Sequence, residues 1–167
     1  MSVLRTIAWR ALGRHVFACS PHVAHALRRG ILRLFGARLE GMVKVRRSVR
    51  IDRPWNLGAG HLTIIGDHAA LRLAAPITIG RRCVVSQLAI LTTEAIDPTT
   101  GVVRTAPIEI GDDCWVAADA LVLPGVRLGA GTVVGARALV DADQPGWCVS
   151  VGQPASARRA RAFRNIA

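Results

Sequence analysis

The 167-residue chain has no tyrosine, and aromatic residues make up only 4% of it, three Phe and four Trp. A core built around large rings is excluded, yet apolar residues reach 51%. Val, Ile, Leu and Ala must therefore fill many small, similar slots. That apolar fraction also excludes a disordered chain. Sixteen Gly and eight Pro fall well short of a low-complexity or collagen-like composition. There is no CxxC pair: Cys19, Cys83, Cys114 and Cys148 stand far apart, without the Cys/His spacing of a zinc site. They read as free, mostly core thiols of a reducing compartment. No apolar run is long enough to span a membrane. The longest, Val3 to Cys19, is broken by Arg5, Arg10 and Arg14, and each arginine near the middle of a span costs about 2.5–3.5 kcal/mol. The same arginines interrupt the apolar region of a secretory leader, so the chain reads as cytoplasmic. Its length suits one domain.

Acidic residues are scarce at the two ends. Residues 1–50 carry one acid, Glu40, against a crowd of Arg and Lys, and the tail adds Arg158, Arg159, Arg161 and Arg164. Most of the formal charge of +11 therefore sits outside the middle of the chain, which is slightly acidic. Val3/Leu4, Ile7/Ala8, Ala11/Leu12 and Val16 recur at helical spacing. Ser20-Pro21 reads as an N-cap and first helical residue of a second helix, whose apolar stripe is Val23, Leu27, Ile31 and Leu34, ending at Gly36. Arg28, Arg29 and Arg33 lie off that stripe. Two uses are open for this basic pair of helices. Their apolar faces lie on the main body with the arginines solvated, or residues 1–36 rest on an anionic membrane surface. Nucleic acid is set aside, because no base-stacking aromatic series accompanies the charge.

The middle of the chain repeats every six residues. Ile110, Val116, Val122, Leu128, Val134 and Val140 are all aliphatic, and Cys114, Ala120, Val126, Thr132 and Ala138 hold the small or β-branched position four further on. The frame extends back through Ile79, Val85 and Leu91, and more loosely through Val45, Ile51, Leu57, Ile65 and Leu71. A strict period of six fits neither a helix nor simple alternation. It fits short strands joined by tight turns, whose coils bury their apolar faces only by stacking. The expected architecture is mainly β, a parallel solenoid. It slips by two residues between Ile65 and Ile79, and by one across Thr92–Pro107. Insertions in solenoids form loops, often on the functional face.

Several segments carry a family resemblance: Ile79-Gly80-Arg81-Arg82-Cys83-Val84-Val85, Ala106-Pro107-Ile108-Glu109-Ile110-Gly111-Asp112, Trp115-Val116-Ala117-Ala118, Pro124-Gly125-Val126, Val134-Gly135-Ala136-Arg137 and Gly152-Gln153-Pro154-Ala155. Together they resemble the hexapeptide-repeat acyltransferases, the last standing where that family has GNPA. Leu32-Arg33-Leu34-Phe35-Gly36-Ala37 and Pro54-Trp55-Asn56-Leu57 are similar to the colanic-acid-biosynthesis branch. The resemblance implies a left-handed parallel β-helix, a homotrimer, and acetyl-CoA between subunits. It also implies acetyl transfer to a hydroxyl of a sugar or polysaccharide precursor, with no metal. The implied organisation is a basic helical segment over 1–38, the β-helix over 39–152 with a loop inserted at 92–107, and a basic tail over 153–167 for which a helix is one option. On the coenzyme side it assigns Trp115 and Ala118 to the pantetheine channel, Gly135 and Ala136 to the CoA arm, and Arg159 to the nucleotide phosphates.

The catalytic side departs from the family. Relatives carry a proton-abstracting His in a segment like LCTGSHD; here Leu91-Thr92-Thr93-Glu94-Ala95-Ile96-Asp97 puts Ile96 at that position. The substrate-holding rung LYNVDPI becomes Leu71-Arg72-Leu73-Ala74-Ala75-Pro76-Ile77, with Leu73 and Ala75 at polar positions. The catalytic residue is therefore unassigned. Glu94 and Asp97 are the substitutes within the same loop, although an exposed carboxylate near pKa 4 is a weak base. His61 and His68 read as turn residues. A zinc carbonic anhydrase on the same fold is rejected, since residues 91–110 offer no His. The alternative to an enzyme is a non-catalytic trimeric member, a CoA- or glycan-binding scaffold or the partner of an active paralogue.

Overall fold

A computed structural model describes residues 2–162 of the chain. The hexads form three parallel faces of two- to three-residue strands that stack coil upon coil. The first face stacks Arg38–Leu39, Leu57–Ala59, Ile77–Ile79, Ile108–Ile110 and Arg127–Leu128. The second stacks Lys44–Val45, Ile64–Ile65, Val84–Val85, Trp115–Val116, Val133–Val134 and Cys148–Gly152. The third stacks Arg50–Ile51, Ala70–Arg72, Ile90–Thr92, Leu121–Val122 and Leu139–Val140. Three hexads make one coil: Val116 and Val134 are partners in neighbouring coils. Val45 and Ile65, also partners, lie two residues further apart.

Both aliphatic and small columns point inward. Val45, Ile65, Val85, Val116 and Val134 are buried in one column, and Ile51, Leu71, Leu91, Val122 and Val140 in another. Cys83, Cys114, Ala120, Val126, Thr132 and Ala138 are buried between them. At about 25 cal/mol per Å² of apolar surface, such columns supply the driving force without aromatics. Corner geometry follows the same period. Asp113, Asp119, Gly125, Gly131 and Arg137 all take left-handed backbone, with φ from 58° to 84°. Only glycine adopts that region freely, although Asp tolerates it in turns. His68 takes the equivalent corner at φ 59°, and His61 Nδ1 accepts the Met42 amide, so both histidines serve turns.

Enlarged corners account for the frame slips. The first two coils carry extra residues between the third and first faces, a 3₁₀ turn at Pro54–Asn56 and the segment 73–76. The aligned inward residue in the first coil is consequently Ala59, two beyond Leu57, although Leu57 is buried as well. At the same corner of the next coil a hairpin, Glu94–Ile96 against Val103–Thr105, is inserted. Three enlargements thus stack along one edge.

The helices differ from the sequence reading in register. Helix α1 (Ser2–Ala8), a π turn (Trp9–Gly13) and α2 (Arg14–Cys19) form one rod, followed by α3 (His25–Leu34). A π turn accommodates an extra residue, and here it brings Trp9, Gly13 and Phe17 onto one buried line. Trp9 packs edge-on to Phe17 and Phe35, and its Nε1–H donates to the Ile51 carbonyl at 2.8 Å. A Cβ on Gly13 would collide with the Trp9 and Phe35 rings, so only glycine fits there. Of the two uses open for the first aliphatic stripe, lying on the body does not hold: Leu4, Ile7, Leu12 and Val16 are exposed. The second stripe is likewise displaced, with Val23, Leu27 and Leu34 exposed while Arg28 and Leu32 are fully buried.

Ser20 is also not the N-cap, since α3 begins at His25 after the uncapped Ala24. Its hydroxyl donates to the Phe17 carbonyl and accepts from Arg28. Arg28 closes the open end of the solenoid and uses its whole guanidinium. Nε donates to Val45 O, Nη1 to Ser20 Oγ and Pro21 O, and Nη2 to His22 O and His25 Nδ1, all within 2.9 Å. At the other end the tail is strand, not helix: Ala155–Ala160 runs antiparallel to Cys148–Gly152 on the second face. Its alternating backbone pairs the unsatisfied edge of the last coil, which a helix would leave open. Arg164 lies outside the described residues.

Candidate functional site

The three faces have different outer surfaces. The first presents Arg38, Gly58, Thr78, Glu109 and Arg127 in register, a polar ladder that includes an Arg127–Glu109 ion pair at 3.2 Å. The third presents Arg50, Ala70, Ile90, Leu121 and Leu139. The second presents Lys44, Ile64, Val84, Trp115, Val133, Val149 and Arg159 in one transverse row. Two of the three outer faces are thus largely apolar and one is polar.

The residues assigned to the coenzyme come together on and beside the second face. Trp115 is 47% exposed, and its Nε1–H donates to Ser86 Oγ at 2.8 Å, which fixes the ring against the coil below. Arg159 enters the same row through the antiparallel tail strand, separated from Trp115 by Val133 and Val149. Ala118 and Ala136 occupy equivalent turns of consecutive coils, at the corner that follows this face. The Ala118 carbonyl accepts the Arg137 amide at 3.0 Å across them. Gly135 packs against Val151, where a Cβ would clash with that side chain. The row is thus apolar in its middle and basic at its end, a shape suited to a thin apolar arm ending in phosphates.

At the enlarged edge the polar groups are engaged by the backbone. Asp52 Oδ1 accepts the Leu73 amide at 2.7 Å, and Asn56 Nδ2 donates to the Leu73 carbonyl at 2.8 Å. Thr93 Oγ1 donates to Arg72 O and accepts the Ala75 amide, both at 2.9 Å. Leu73 is buried in the core rather than lining an open site. Asp52, Asn56 and Thr93 escaped the sequence reading; the signal was their place at the frame slips, where the enlarged corners stack. Ile96 stands 68% exposed on the hairpin. Asp97 Oδ1 accepts the amides of Thr99 and Thr100, which hold its carboxyl below the usual carboxylate range. Hydrogen bonds to the charged form make Asp97 a weaker base than a free carboxylate. Glu94 remains the other acid of the hairpin, half-buried and opposite Thr105.

The family model for the bacterial transferase hexapeptide, six repeats, matches residues 107–142. The chain is 40% identical over 162 residues to the protein of Escherichia coli K12 named putative colanic acid biosynthesis acetyltransferase WcaF, covering 96% of this chain and 89% of that one. The chain belongs to the hexapeptide-repeat acetyltransferases. Solved structures agree on the fold. The maltose O-acetyltransferase of Clostridium difficile 630 superposes with a TM-score of 0.84 at 21% identity, covering 96% of this chain and 88% of its own. The Vibrio cholerae hexapeptide-repeat acetyltransferase VCA0836, solved with acetyl-CoA, gives 0.86 at 24% identity over the same shares. Like those structures, the present acetyltransferase is a mainly β parallel solenoid, with a hairpin inserted at one edge. Among its described residues no group of three or more His, Cys, Asp or Glu is placed to hold a metal ion, and no helix is long and apolar enough to cross a membrane.

Proposed function

We propose that the protein is a cytoplasmic homotrimer that binds acetyl-CoA along the second face and passes the acetyl group to a hydroxyl of a sugar or polysaccharide precursor. The observation that carries this is the register row from Trp115 to Arg159, flanked by the stacked turns of Ala118 and Gly135–Ala136. Solved relatives hold acetyl-CoA or CoA, in VCA0836 and in a galactoside acetyltransferase. The thioester carbonyl would be attacked by the acceptor oxygen, coenzyme A leaving as its thiol with the acceptor's proton. Calorimetric titration with acetyl-CoA is expected to show saturable binding that Trp115→Ala weakens. Arg159→Gln should weaken CoA binding more than that of acetyl-pantetheine, which lacks the nucleotide phosphates. Equal losses would remove Arg159 from the phosphate end, and no binding to the unmodified protein would overturn the proposal.

The two apolar faces support the trimer. A C3 assembly uses two different surfaces of each subunit, which suits the second face and the Ile90, Leu121 and Leu139 part of the third, and leaves the polar ladder and the Arg50 end of the third face free. Light scattering is expected to give three times the chain's 17.8 kDa. Leu121, half-buried and outward on the third face, separates folding from association. Leu121→Glu should yield a folded monomer, whereas Leu91→Ala in the buried column beside it should cost about 2–5 kcal/mol in urea unfolding. A trimer that survives Leu121→Glu would place the interface elsewhere.

One specific observation favours a second reading. Asp97 is tied into a turn and the edge's polar groups bind backbone, while Ile96 stands where the resemblance expects the family's His. This arrangement fits a scaffold that binds CoA or glycan, or partners an active paralogue. Acetyl-CoA binding without transfer to any acceptor would select it.

A further inference from the structure

The N-terminal rod is apolar on two opposite sides. Trp9, Gly13 and Phe17 face the solenoid, while Leu4, Ile7, Leu12 and Val16 are exposed, Leu4 at 77% and Leu12 at 64%. Ala8 and Ala11 are exposed with them. A helix that covers one face of a water-soluble body needs polar residues on the other, and this rod has aliphatic ones. Beside it lies a cavity of about 490 Å³ between the rod and the third face, with Trp9 and Phe17 among its lining residues. Its basic lining is Arg10, Arg14, Arg47, Arg50 and Arg72. All five are exposed, and none forms an ion pair among the described residues, although five other arginines do. The aliphatic stripe on the rod's outer side and the unpaired arginines along its flank and on the adjoining coils are complementary to a surface that offers both acyl chains and phosphates.

We propose that this rod and its arginine-lined cavity form a docking surface for an anionic phospholipid membrane. The aliphatic stripe enters the boundary between headgroups and acyl chains, and the cavity receives a lipid phosphate. Arginine suits that task, since its planar fork pairs with phosphate oxygens through two parallel bonds. Attachment would be peripheral and reversible, holding the enzyme next to a bilayer without spanning it. The proposal is independent of whether acetyl transfer occurs.

The test is flotation of the full chain with phosphatidylcholine vesicles, alone or containing about one-third phosphatidylglycerol, at low and high salt. The protein should float with the anionic vesicles at low salt and be released by high salt. Leu12→Glu/Val16→Glu should abolish flotation, and Arg10→Gln/Arg14→Gln should lower the partition coefficient by about five-fold for each arginine removed. The thermal midpoint and acetyl-CoA titration of each variant establish that it is folded; should the glutamate pair misfold, the arginine pair carries the test. No flotation of the unmodified protein overturns the proposal. So does loss of the oligomer in Leu12→Glu/Val16→Glu, which would make the stripe a subunit interface. Equal flotation with neutral vesicles overturns the phosphate part.

Discussion

Acetyl-CoA is expected to bind this protein while transfer to sugar acceptors runs at least ~10²-fold slower than in a His-containing relative. That figure is the low end of what a positioned general base contributes. A sugar hydroxyl is a poor nucleophile at neutral pH. Ile96 offers no acceptor for its proton, and the amides of Thr99 and Thr100 make the Asp97 carboxylate a weaker one. Ile96→His should recover part of the rate. Ile96 is exposed on the hairpin and paired through its backbone with Val103, so the exchange disturbs no core. Restoring the other side is harder. Leu73 is fully buried, and Leu73→Asn would place an amide among aliphatics at about 1–3 kcal/mol if it finds no partner. Thiol release from acetyl-CoA over a panel of sugars and oligosaccharides measures these rates. Rapid turnover by the unmodified protein, abolished by Glu94→Gln, would instead make Glu94 the base and refute the expected deficit.

The solenoid was readable because its physics is local and repeated. Each hexad states its own inward aliphatic, inward small residue and left-handed corner, as Val116, Ala120 and Asp119 do, so misreading one does not spoil the next. Of the residues proposed for the coenzyme, Trp115, Ala118, Gly135 and Ala136 lie in that regular part, whereas Arg159 joins the row of Trp115 only through the tail strand. The N-terminal helices were harder, since amphipathic periodicity shows that a stripe exists and not which side it meets. Leu4, Ile7, Leu12 and Val16 formed the more obvious stripe, yet burying Trp9 and Phe17 removes more apolar area from water. The π turn that aligns those aromatics leaves no mark in hydropathy. Hydropathy sets Arg28 among the solvated residues, because charge normally favours water. Nothing in a linear pattern reveals that five acceptors converge on one guanidinium. The tail strand depends on the unpaired edge of the last coil, a property of the folded solenoid rather than of residues 155–160.

Arg28 should prove the most sensitive single position for holding the helices to the solenoid. Its five N–H groups meet Val45 O, Ser20 Oγ, Pro21 O, His22 O and His25 Nδ1, and no carboxylate is among them. Arg28→Met keeps the volume but strips donors from buried acceptors, at an expected cost of at least ~2 kcal/mol. Arg28→Lys keeps the charge with three donors in place of five and should fall between the two. The same cluster makes stability depend on pH through His25. Burial first, and then the neighbouring Arg28 charge, hold the His25 pKa below its ordinary value. The folded state therefore favours the neutral ring, whose Nδ1 accepts from Arg28. For such a depressed histidine the contribution is complete above the unfolded pKa near 6.5 and is lost as pH falls through the lower folded value. Protonation would set an N–H of the ring against an N–H of the guanidinium. The thermal midpoint of the unmodified protein should hold steady from about pH 8 to 6.5 and decline below it. His25→Gln should be less stable above pH 6.5 and show a flatter decline, the two curves converging in acid. Parallel curves would mean that His25 does not titrate with folding and that Arg28 draws nothing from its ring.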